Sequence, residues 1–350
     1  MSRAVPLVLI LHLLTTPSSP DLPPPDQVAA IFNPPKSAWL SRSVDLAKAH
    51  QQKAHEIWQY LQHQSEYREC VLSIIHSQVA AYRDAGGKGV FGVYVKELNT
   101  GSAVGYNHLL TETGGSCGED PGFFETASTV KLFMAGAIAH LASTGEMSLE
   151  DVINDPVLNS GFQIGDIAQR MVSHSVNDYF NVLLRHVGVE RFNEVVRLLG
   201  ARNTRVYCEL LPTTGNDGSR NYEVYGSGKA PRTTPRDLAL ILELAYTGAF
   251  GEEHSSFLMD ALLKCVYTSR VPRGIDFRAP VAHKTGTNSI TWNDAAIVML
   301  DGNPFILVIT TYQVNRNPEP WMRAMAKAIF EFHKVRATAE NEVGLGPEIP

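Results

Sequence analysis

Cysteine is scarce in this chain, basic residues are in no excess, and no apolar run is long enough to cross a membrane. Its four cysteines are far apart and lack Cys-x-x-Cys spacing: Cys70, Cys117, Cys208 and Cys265. The twelve histidines are scattered, so neither residue type supports a zinc site or a dithiol motif, and no cofactor is implied. The formal net charge of −6 disfavours a nucleic acid as partner.

Residues 1–20 have the layout of an export signal. Arg3 is followed by a short apolar run over 4–14 and then by Thr, Pro and Ser residues. The run is too short to span a bilayer, so we expect an exported protein, periplasmic or secreted, without a stable membrane span. Because the cleavage pattern is poor, two alternatives remain: an uncleaved hydrophobic tail, and a start of the sequence that has been placed too early. Export would permit one or two disulfides of undetermined pairing.

The rest of the chain predicts one large domain of mixed α and β structure. Of its 350 residues, 44% are hydrophobic and 19% charged, a globular composition. A Pro-rich linker over 21–37 precedes the domain at 38–335, and 336–350 form a loose tail. Periodicity predicts helices over 43–84, 130–144, 164–173, 177–187, 189–199, 235–246, 256–264 and 320–333, and strands over 89–97, 102–107, 279–285, 294–300 and 305–312.

The order of these elements predicts the topology. Strands come from both ends of the chain, so an antiparallel sheet flanked by helices is built from residues 38–115 and 236–335. An all-helical lobe over 116–235 is inserted between the two parts. The polar segments 111–122 and 206–232 are predicted as loops.

Ser128 and Lys131 stand three residues apart where an apolar helical pattern begins. Residues three apart on a helix share a face, so the Lys131 amine would lie beside the Ser128 hydroxyl. A lysine kept neutral by burial can take the serine proton and create a nucleophile, and the first helical turn favours an oxyanion. The alternative is a serine that caps the helix and a solvated lysine.

Two further polar clusters fall where this architecture brings them near Ser128. Ser175 and Asn177 stand two apart in a loop between predicted helices, although either can simply cap the helix that follows. Lys284 and Thr285 end a predicted strand and can hold an anionic substrate. A charged edge strand that is guarded against aggregation is the alternative interpretation.

The clusters Ser-x-x-Lys, Ser-x-Asn and Lys-Thr-Gly, in this order, resemble the motifs of the penicillin-recognising serine hydrolases, most closely the class A β-lactamases. The resemblance covers about residues 90–333. It implies a β-lactamase/transpeptidase-like α/β fold and a small-molecule β-lactam or peptidoglycan-like substrate, and we expect a monomer. Residues 233–237 resemble the segment after the family's Ω-loop, and Asn181 matches an asparagine that packs this loop.

The resemblance implies a route to an acyl-enzyme. Ser128 attacks the substrate carbonyl, and Lys131 takes the proton of its hydroxyl. Ser175 relays a proton to the leaving nitrogen. Backbone N–H groups of Ser128 and Thr287 form the oxyanion hole, whose donors typically contribute on the order of 3 kcal/mol each.

The resemblance also assigns the substrate-binding groups. Asn177 binds the carbonyl of the substrate's side chain, and Lys284 with Thr285 meets the substrate carboxylate. The charge of Lys284 additionally favours a neutral lysine at the base position. Arg270 and Arg273 precede this strand and can assist with the carboxylate, or are simply exposed arginines.

The sequence departs from the family where the acyl-enzyme is hydrolysed. Class A enzymes position a water with the glutamate of Glu-x-x-Leu-Asn, and this string does not occur here. Glu209 is nearest to the expected place, Glu223 is closer to the Thr-Thr-Pro landmark, and the absence of any equivalent is the third alternative. Val176 replaces an aspartate of better-known members, a largely structural side chain, so we discount this change.

Three functions follow. The leading hypothesis is a serine hydrolase that opens β-lactam or related amide bonds, with glutamine hydrolysis as a variant. The second is a D-Ala-D-Ala peptidase or slow penicillin-binding protein, which uses the same nucleophile but lacks efficient deacylation. The third is an inactive binding or sensor module, against which the presence of all three motifs argues.

Overall fold

The computed structural model describes residue 52 and residues 63–107, 124–158, 160–210 and 230–343. Contacts divide the chain into two units, residues 1–62 and residues 63–350. The predicted export signal, the linker and the start of the domain at residue 38 lie outside the described residues, as do the loop 111–122, Cys117 and Glu223. Within the described part, no helix combines the length and apolar character needed to cross a membrane.

The elements follow one another in three groups. The first group is α1 (63–84), β1 (Val90–Glu97) and β2 (Ala103–Asn107). The second is β3 (Phe124–Glu125), α2 (Val130–Ser143), β4 (Val152–Asn154), β5 (Gly161–Gln163), α3 (Ile164–Ser173), α4 (Asn177–Val187), α5 (Val189–Leu198) and β6 (Arg232–Thr233). The third is α6 (Pro235–Tyr246), α7 (Gly251–Leu263), α8 (Val271–Gly274), β7 (Val281–Thr287), β8 (Trp292–Val298), β9 (Phe305–Tyr312) and α9 (Glu319–Val343).

A five-stranded antiparallel sheet in the order β2-β1-β9-β8-β7 joins the first and third groups. Most of the second group is helical and is inserted between β2 and α6. The predicted architecture, an antiparallel sheet from both ends of the chain with an inserted helical lobe, is therefore confirmed. Because β7 is the last strand in the order, it forms one edge of the sheet.

Apolar side chains alternate between the two faces of the sheet, as the pleat of a strand requires. On β8, Ala295 and Ile297 join the core shared with the helical lobe, whereas Ala296 and Val298 join the core that contains α1 and α9. The helix α6 begins as predicted: Thr234 caps it by accepting from the Asp237 N–H at 3.1 Å, and Pro235 is its first residue.

Element ends differ from the predictions at several places. The last helix continues to Val343 instead of ending at 333, so the expected loose tail is wrong for residues 336–343. The reason is a tertiary contact, because Arg336 donates to the buried Glu97 carboxylate at 2.9 Å. The helix α7 begins at Gly251, five residues before the predicted start at 256. The paired segments β3 with β6 and β4 with β5 were not predicted, since they are too short to show periodicity.

Candidate active site

Ser128 lies in a single 3-10 turn, Ala127–Thr129, directly before α2. Ala127 has φ 43°, a conformation that non-glycine residues rarely adopt. The turn is tied to the sheet, because the Asn293 side-chain amide on β8 donates to Glu125 O at 2.8 Å and to Thr126 O at 3.1 Å. The fold therefore holds the nucleophile candidate in a strained turn at a helix N-terminus.

Lys131 is fully buried and lies at the centre of the polar cluster. Its Nζ donates to Ser128 Oγ at 2.8 Å and to Asn177 Oδ1 at 2.6 Å. It also donates to the backbone oxygen of Ser175 at 3.0 Å and contacts the Ser175 hydroxyl at 3.4 Å. The structure thus brings together Ser128, Lys131, Ser175 and Asn177, which are separated by up to 49 positions in the sequence.

Lys284 reaches the same cluster from β7. Its Nζ donates to Ser175 Oγ at 3.0 Å, and it is fully buried. Ser175 occupies a turn with φ 59°, which directs its hydroxyl between the two lysines. The Ser175 hydroxyl therefore contacts both lysine amines, and its strained left-handed backbone is held by the surrounding structure.

The two lysines have lowered basicity. Burial lowers the pKa of Lys131 well below its usual range, and the positive charge of Lys284 adds to this, whereas Asp178 opposes it. Burial likewise lowers the pKa of Lys284 to about 8, with Arg270 adding to the effect and Cys265 and Asp294 opposing it. At neutral pH, Lys131 can be the neutral base and Lys284 the cation.

The end of β7 packs against the nucleophile turn. A Cβ on Gly286 would lie 2.6 Å from Thr126 O and 3.0 Å from Ser128 N, so glycine is required for this approach. Thr285 is buried and Thr287 is exposed. The close packing suits an oxyanion hole made from the backbone of Ser128 and Thr287, which stays a prediction.

Arg270 is a site residue whose role the sequence left open. It is 4% exposed, and its guanidinium donates to Asn293 O at 2.5 Å, to Gly286 O at 3.2 Å and to the Thr287 hydroxyl. It is therefore a buried support of β7 and not an exposed arginine. Only a tertiary arrangement reveals this, because the sequence around Arg270 has no distinguishing pattern.

Glu209 does not join the cluster through any of its observed contacts. Its carboxylate accepts from Arg185 at 2.6 Å, and Arg185 also donates to Asp155 at 2.9 Å. The adjacent residue is held differently: Asn181 Oδ1 accepts from Leu210 N at 2.8 Å, and Asn181 Nδ2 donates to Leu210 O at 2.9 Å. Asn181 thus binds both backbone groups of residue 210, as expected from the resemblance, and we call residue 210 the clamped position. The side chain at this position is a leucine.

The cysteines provide no support for a disulfide among the described residues, since Cys70 and Cys265 carry free thiols. No group of three or more His, Cys, Asp or Glu side chains in the described part is arranged to hold a metal ion. The side chains that converge on Ser128 are instead lysines, hydroxyls and an amide. This set of groups is typical of covalent acyl transfer by a serine.

A serine beside a buried lysine, at a helix start next to an antiparallel sheet, is the arrangement that the three motifs predict, and we compared the chain with known proteins on this basis. Residues 75–333 match the model of the beta-lactamase enzyme family. The chain belongs to this family, and the resemblance seen in the three motifs is confirmed. No curated protein matches the chain.

Solved structures share the fold. PBP-A has 20% identity over 76% of this chain and 96% of that chain, with a TM-score of 0.60. A variant of PBP-A with leucine replaced by glutamate, an acyl-enzyme complex with penicillin G, has 20% identity over 76% and 97%, with a TM-score of 0.59. A β-lactamase from Chitinophaga pinensis DSM 2588 has 20% identity over 76% and 98%, with a TM-score of 0.58. The β-lactamase/transpeptidase-like fold is therefore confirmed.

Substituting Gly286→Ala should slow covalent labelling of Ser128 by a fluorophosphonate probe by on the order of 100-fold, because the added methyl group displaces β7 from the nucleophile turn. The measurement is the labelling rate by intact mass spectrometry. Gly105→Ala is the matched control, because its Cβ would meet only the Tyr94 ring at 3.5 Å. Equal labelling of both variants would contradict the assigned role of this close approach.

Proposed function

We propose that the chain is an exported serine hydrolase that is acylated at Ser128 by β-lactams and related amides and releases the acyl group slowly, as a penicillin-binding protein does. The observation that carries the slow release is the leucine at the position clamped by Asn181. Family membership supports the hydrolase class. Slow release is favoured over rapid β-lactam hydrolysis because the side chain at this position is apolar.

Acylation begins with proton transfer from Ser128 to the neutral Lys131 amine across 2.8 Å. The serine oxygen then attacks the amide carbon, and the negative charge that develops on the carbonyl oxygen is proposed to lie against the backbone N–H groups of Ser128 and Thr287. The Ser175 hydroxyl passes a proton to the leaving nitrogen as the C–N bond breaks. Its position between Lys131 and Lys284 supports this role, because it contacts both amines.

Substrate binding is proposed to use the charge of Lys284 and the hydroxyl of Thr285 for a carboxylate, and the Asn177 amide for a carbonyl. A buried cation in a site of low dielectric attracts an anion more strongly than a solvated one does. The substrate class is therefore a small acylated amide with an adjacent carboxylate, found in penicillins and in the C-terminal end of peptidoglycan stem peptides.

Slow release is proposed because the residue whose backbone Asn181 binds is a leucine and not a carboxylate. Asn177 and Asn181 are four apart on α4 and share a face, so the clamp places Leu210 one helical turn from the contact between Asn177 and Lys131. A water-activating carboxylate is expected at this location, and the side chain there is apolar. Glu209 is bound to Arg185 instead.

Exposure to benzylpenicillin should give an adduct on Ser128 equal to the mass of one intact penicillin. We expect it to form within seconds to minutes and to be released more slowly than about 0.1 s⁻¹, below the usual range of enzyme turnover. An intact-mass time course with nitrocefin turnover alongside measures both steps. Ser128→Ala is the control and should give no adduct. Nitrocefin turnover at tens per second would favour a true β-lactamase, and no adduct at all would favour the inactive module.

The rate constant for acylation by benzylpenicillin should fall above about pH 8, approaching ten-fold per pH unit, because Lys284 has a pKa of about 8 and loses its charge. Protonated below this pH, the amine attracts the penicillin carboxylate, and deprotonated above it, the amine no longer does. Phenylmethylsulfonyl fluoride, which has no carboxylate, provides the comparison. An identical alkaline decrease for both reagents would contradict anion binding by Lys284.

Substituting Leu210→Glu should accelerate release of the penicilloyl group by at least ten-fold while leaving acylation within about three-fold, since a carboxylate at this place can activate water. Single-turnover mass spectrometry separates the two rates. Leu210→Gln is the matched control, because it has the same length without a basic oxygen. A Gln variant as fast as the Glu variant, or no acceleration by Glu, would contradict the assignment.

A further inference from the structure

A cleft separate from the Ser128 site lies where β1, α6 and the segment after α5 meet. Its volume is about 410 Å³, which falls in the range of small-molecule sites. Among the described residues, none of those proposed for acylation or release lines this cleft. The proposed chemistry therefore gives the cleft no role, although its walls carry several charged side chains.

Three elements of the fold build the walls of the cleft. On β1, Tyr94 and Lys96 are two residues apart and point to the same face of the sheet. On α6, Arg236, Leu240 and Glu243 recur at intervals of four and three residues and share one face of the helix. The segment 200–203, which follows α5, forms the third wall. A strand and a helix thus fix the positions from which most of the lining side chains extend.

Both acidic residues of the cleft already have partners within the protein. Asp237 is 3% exposed and accepts from the Asn203 N–H at 2.8 Å and from the Thr204 hydroxyl at 2.9 Å. Glu243 accepts from the Lys96 amine at 2.5 Å. Because these contacts occupy the two carboxylates, neither forms an ion pair with the arginines of the cleft.

Arg202 and Arg236 are the cations of the cleft that remain uncompensated. Both are exposed, and neither guanidinium has an ion pair or a hydrogen bond to any residue that the structure describes. The half-buried Tyr94 also has no hydrogen-bond partner for its hydroxyl in this part of the chain. One exposed arginine is usually just solvated, but two arginines and a free hydroxyl that line one concave site are suited to binding an oxyanion.

We propose that this cleft binds a phosphate monoester group, with the guanidinium groups of Arg202 and Arg236 donating to the phosphate oxygens. A phosphate monoester carries a charge close to −2 and three acceptor oxygens at pH 7. Its tetrahedral shape lets two guanidinium forks donate from different directions, whereas a planar carboxylate matches a single fork. The arginines come from different walls, which favours a phosphate.

The rest of the cleft indicates what the phosphate is attached to. The volume of about 410 Å³ is more than one phosphate group needs. The remaining lining includes Tyr94, Asn203 and the ion pair of Lys96 with Glu243, groups that hydrogen-bond to hydroxyls. The phosphate is therefore expected to carry a small polar group such as a polyol. This chemistry occurs in free organophosphates and in lipid headgroups, and the proposal concerns the phosphate monoester that the two sources share.

Isothermal titration calorimetry of the full chain with sn-glycerol 3-phosphate tests the ligand class. We expect saturable binding of one ligand per chain with a Kd below about 1 mM. Succinate, which also has two negative charges, should bind at least about ten-fold more weakly, because its carboxylates are planar. Equal affinity for succinate would overturn the assignment to a phosphate.

Cosedimentation with vesicles of equal parts phosphatidylcholine and phosphatidic acid distinguishes the two sources. Binding of glycerol 3-phosphate in solution supports a free organophosphate as ligand. Binding to these vesicles alone, and not to vesicles of pure phosphatidylcholine, supports a lipid headgroup as the carrier of the phosphate monoester. Binding in neither experiment would overturn the proposal.

Substitution of the two arginines tests the site itself. Arg202→Gln and Arg236→Gln should each weaken the binding detected in the wild-type chain at least about ten-fold, since each removes charged hydrogen bonds to the phosphate. Arg197→Gln is the matched control, because Arg197 is an exposed arginine on α5 that does not line the cleft. It should change the affinity by less than about two-fold.

All three arginines are exposed, so the variants should unfold at the same temperature as the wild-type chain when no ligand is present. Unchanged binding in Arg202→Gln and Arg236→Gln would overturn the proposal. An equal loss in Arg197→Gln would do the same, because it would show attraction to the general positive charge of this face. The measurements are independent of acylation at Ser128, so they remain interpretable whether or not the proposed function holds.

Discussion

Two lysines buried against one serine hydroxyl are the interaction on which the rest of the site depends. Lys131 and Lys284 both contact the Ser175 Oγ, at 3.4 and 3.0 Å. Two ammonium groups so close in a site of low dielectric repel each other strongly, so one must be neutral. We expect Lys131 to be the neutral partner, because burial and the charge of Lys284 hold its pKa well below its usual range, whereas the pKa of Lys284 is about 8. A pKa of about 8 in place of 10.5 for Lys284 corresponds to roughly 3 kcal/mol of destabilisation of its charged form.

The fold supplies this energy through rigid elements. Lys131 is in the first turn of α2, whose residues are almost all buried, and Lys284 is on a strand paired along its length with β8. The unusual backbone conformations at Ala127 and Ser175 are held by these elements. Strain of about 1–3 kcal/mol at each such residue persists only where the surroundings determine it.

The sequence predicts the topology and most element ends well, because long periodic segments carry the signal. The helices over 164–173 and 177–187 and the strand over 305–312 agree with the structure. It also predicts Ser128, Lys131, Ser175, Asn177 and Lys284 as neighbours, which the hydrogen bonds confirm, although their catalytic roles stay predictions. This success depends on the joint order of three motifs, because each motif has a simpler interpretation when taken alone.

Other features depend on tertiary contacts that the sequence does not encode locally. The continuation of α9 depends on a partner 239 positions away, Glu97. The burial of Arg270 depends on the end of β7, to which its guanidinium donates. Sequence spacing gives no means of finding such contacts.

The proposed acylation and release steps use separate parts of this architecture. The groups proposed for acylation belong to the Ser128 turn, α2, the Ser175 turn and β7, whereas the position expected for a deacylating carboxylate is residue 210, whose backbone is bound by Asn181. The side chain at this position can change without disturbing the lysine cluster, because the Asn181 clamp binds only the backbone of residue 210. The same proposed nucleophile is therefore compatible with rapid hydrolysis or with persistent acylation. We expect the side chain of residue 210, rather than the shared fold, to decide between these two outcomes.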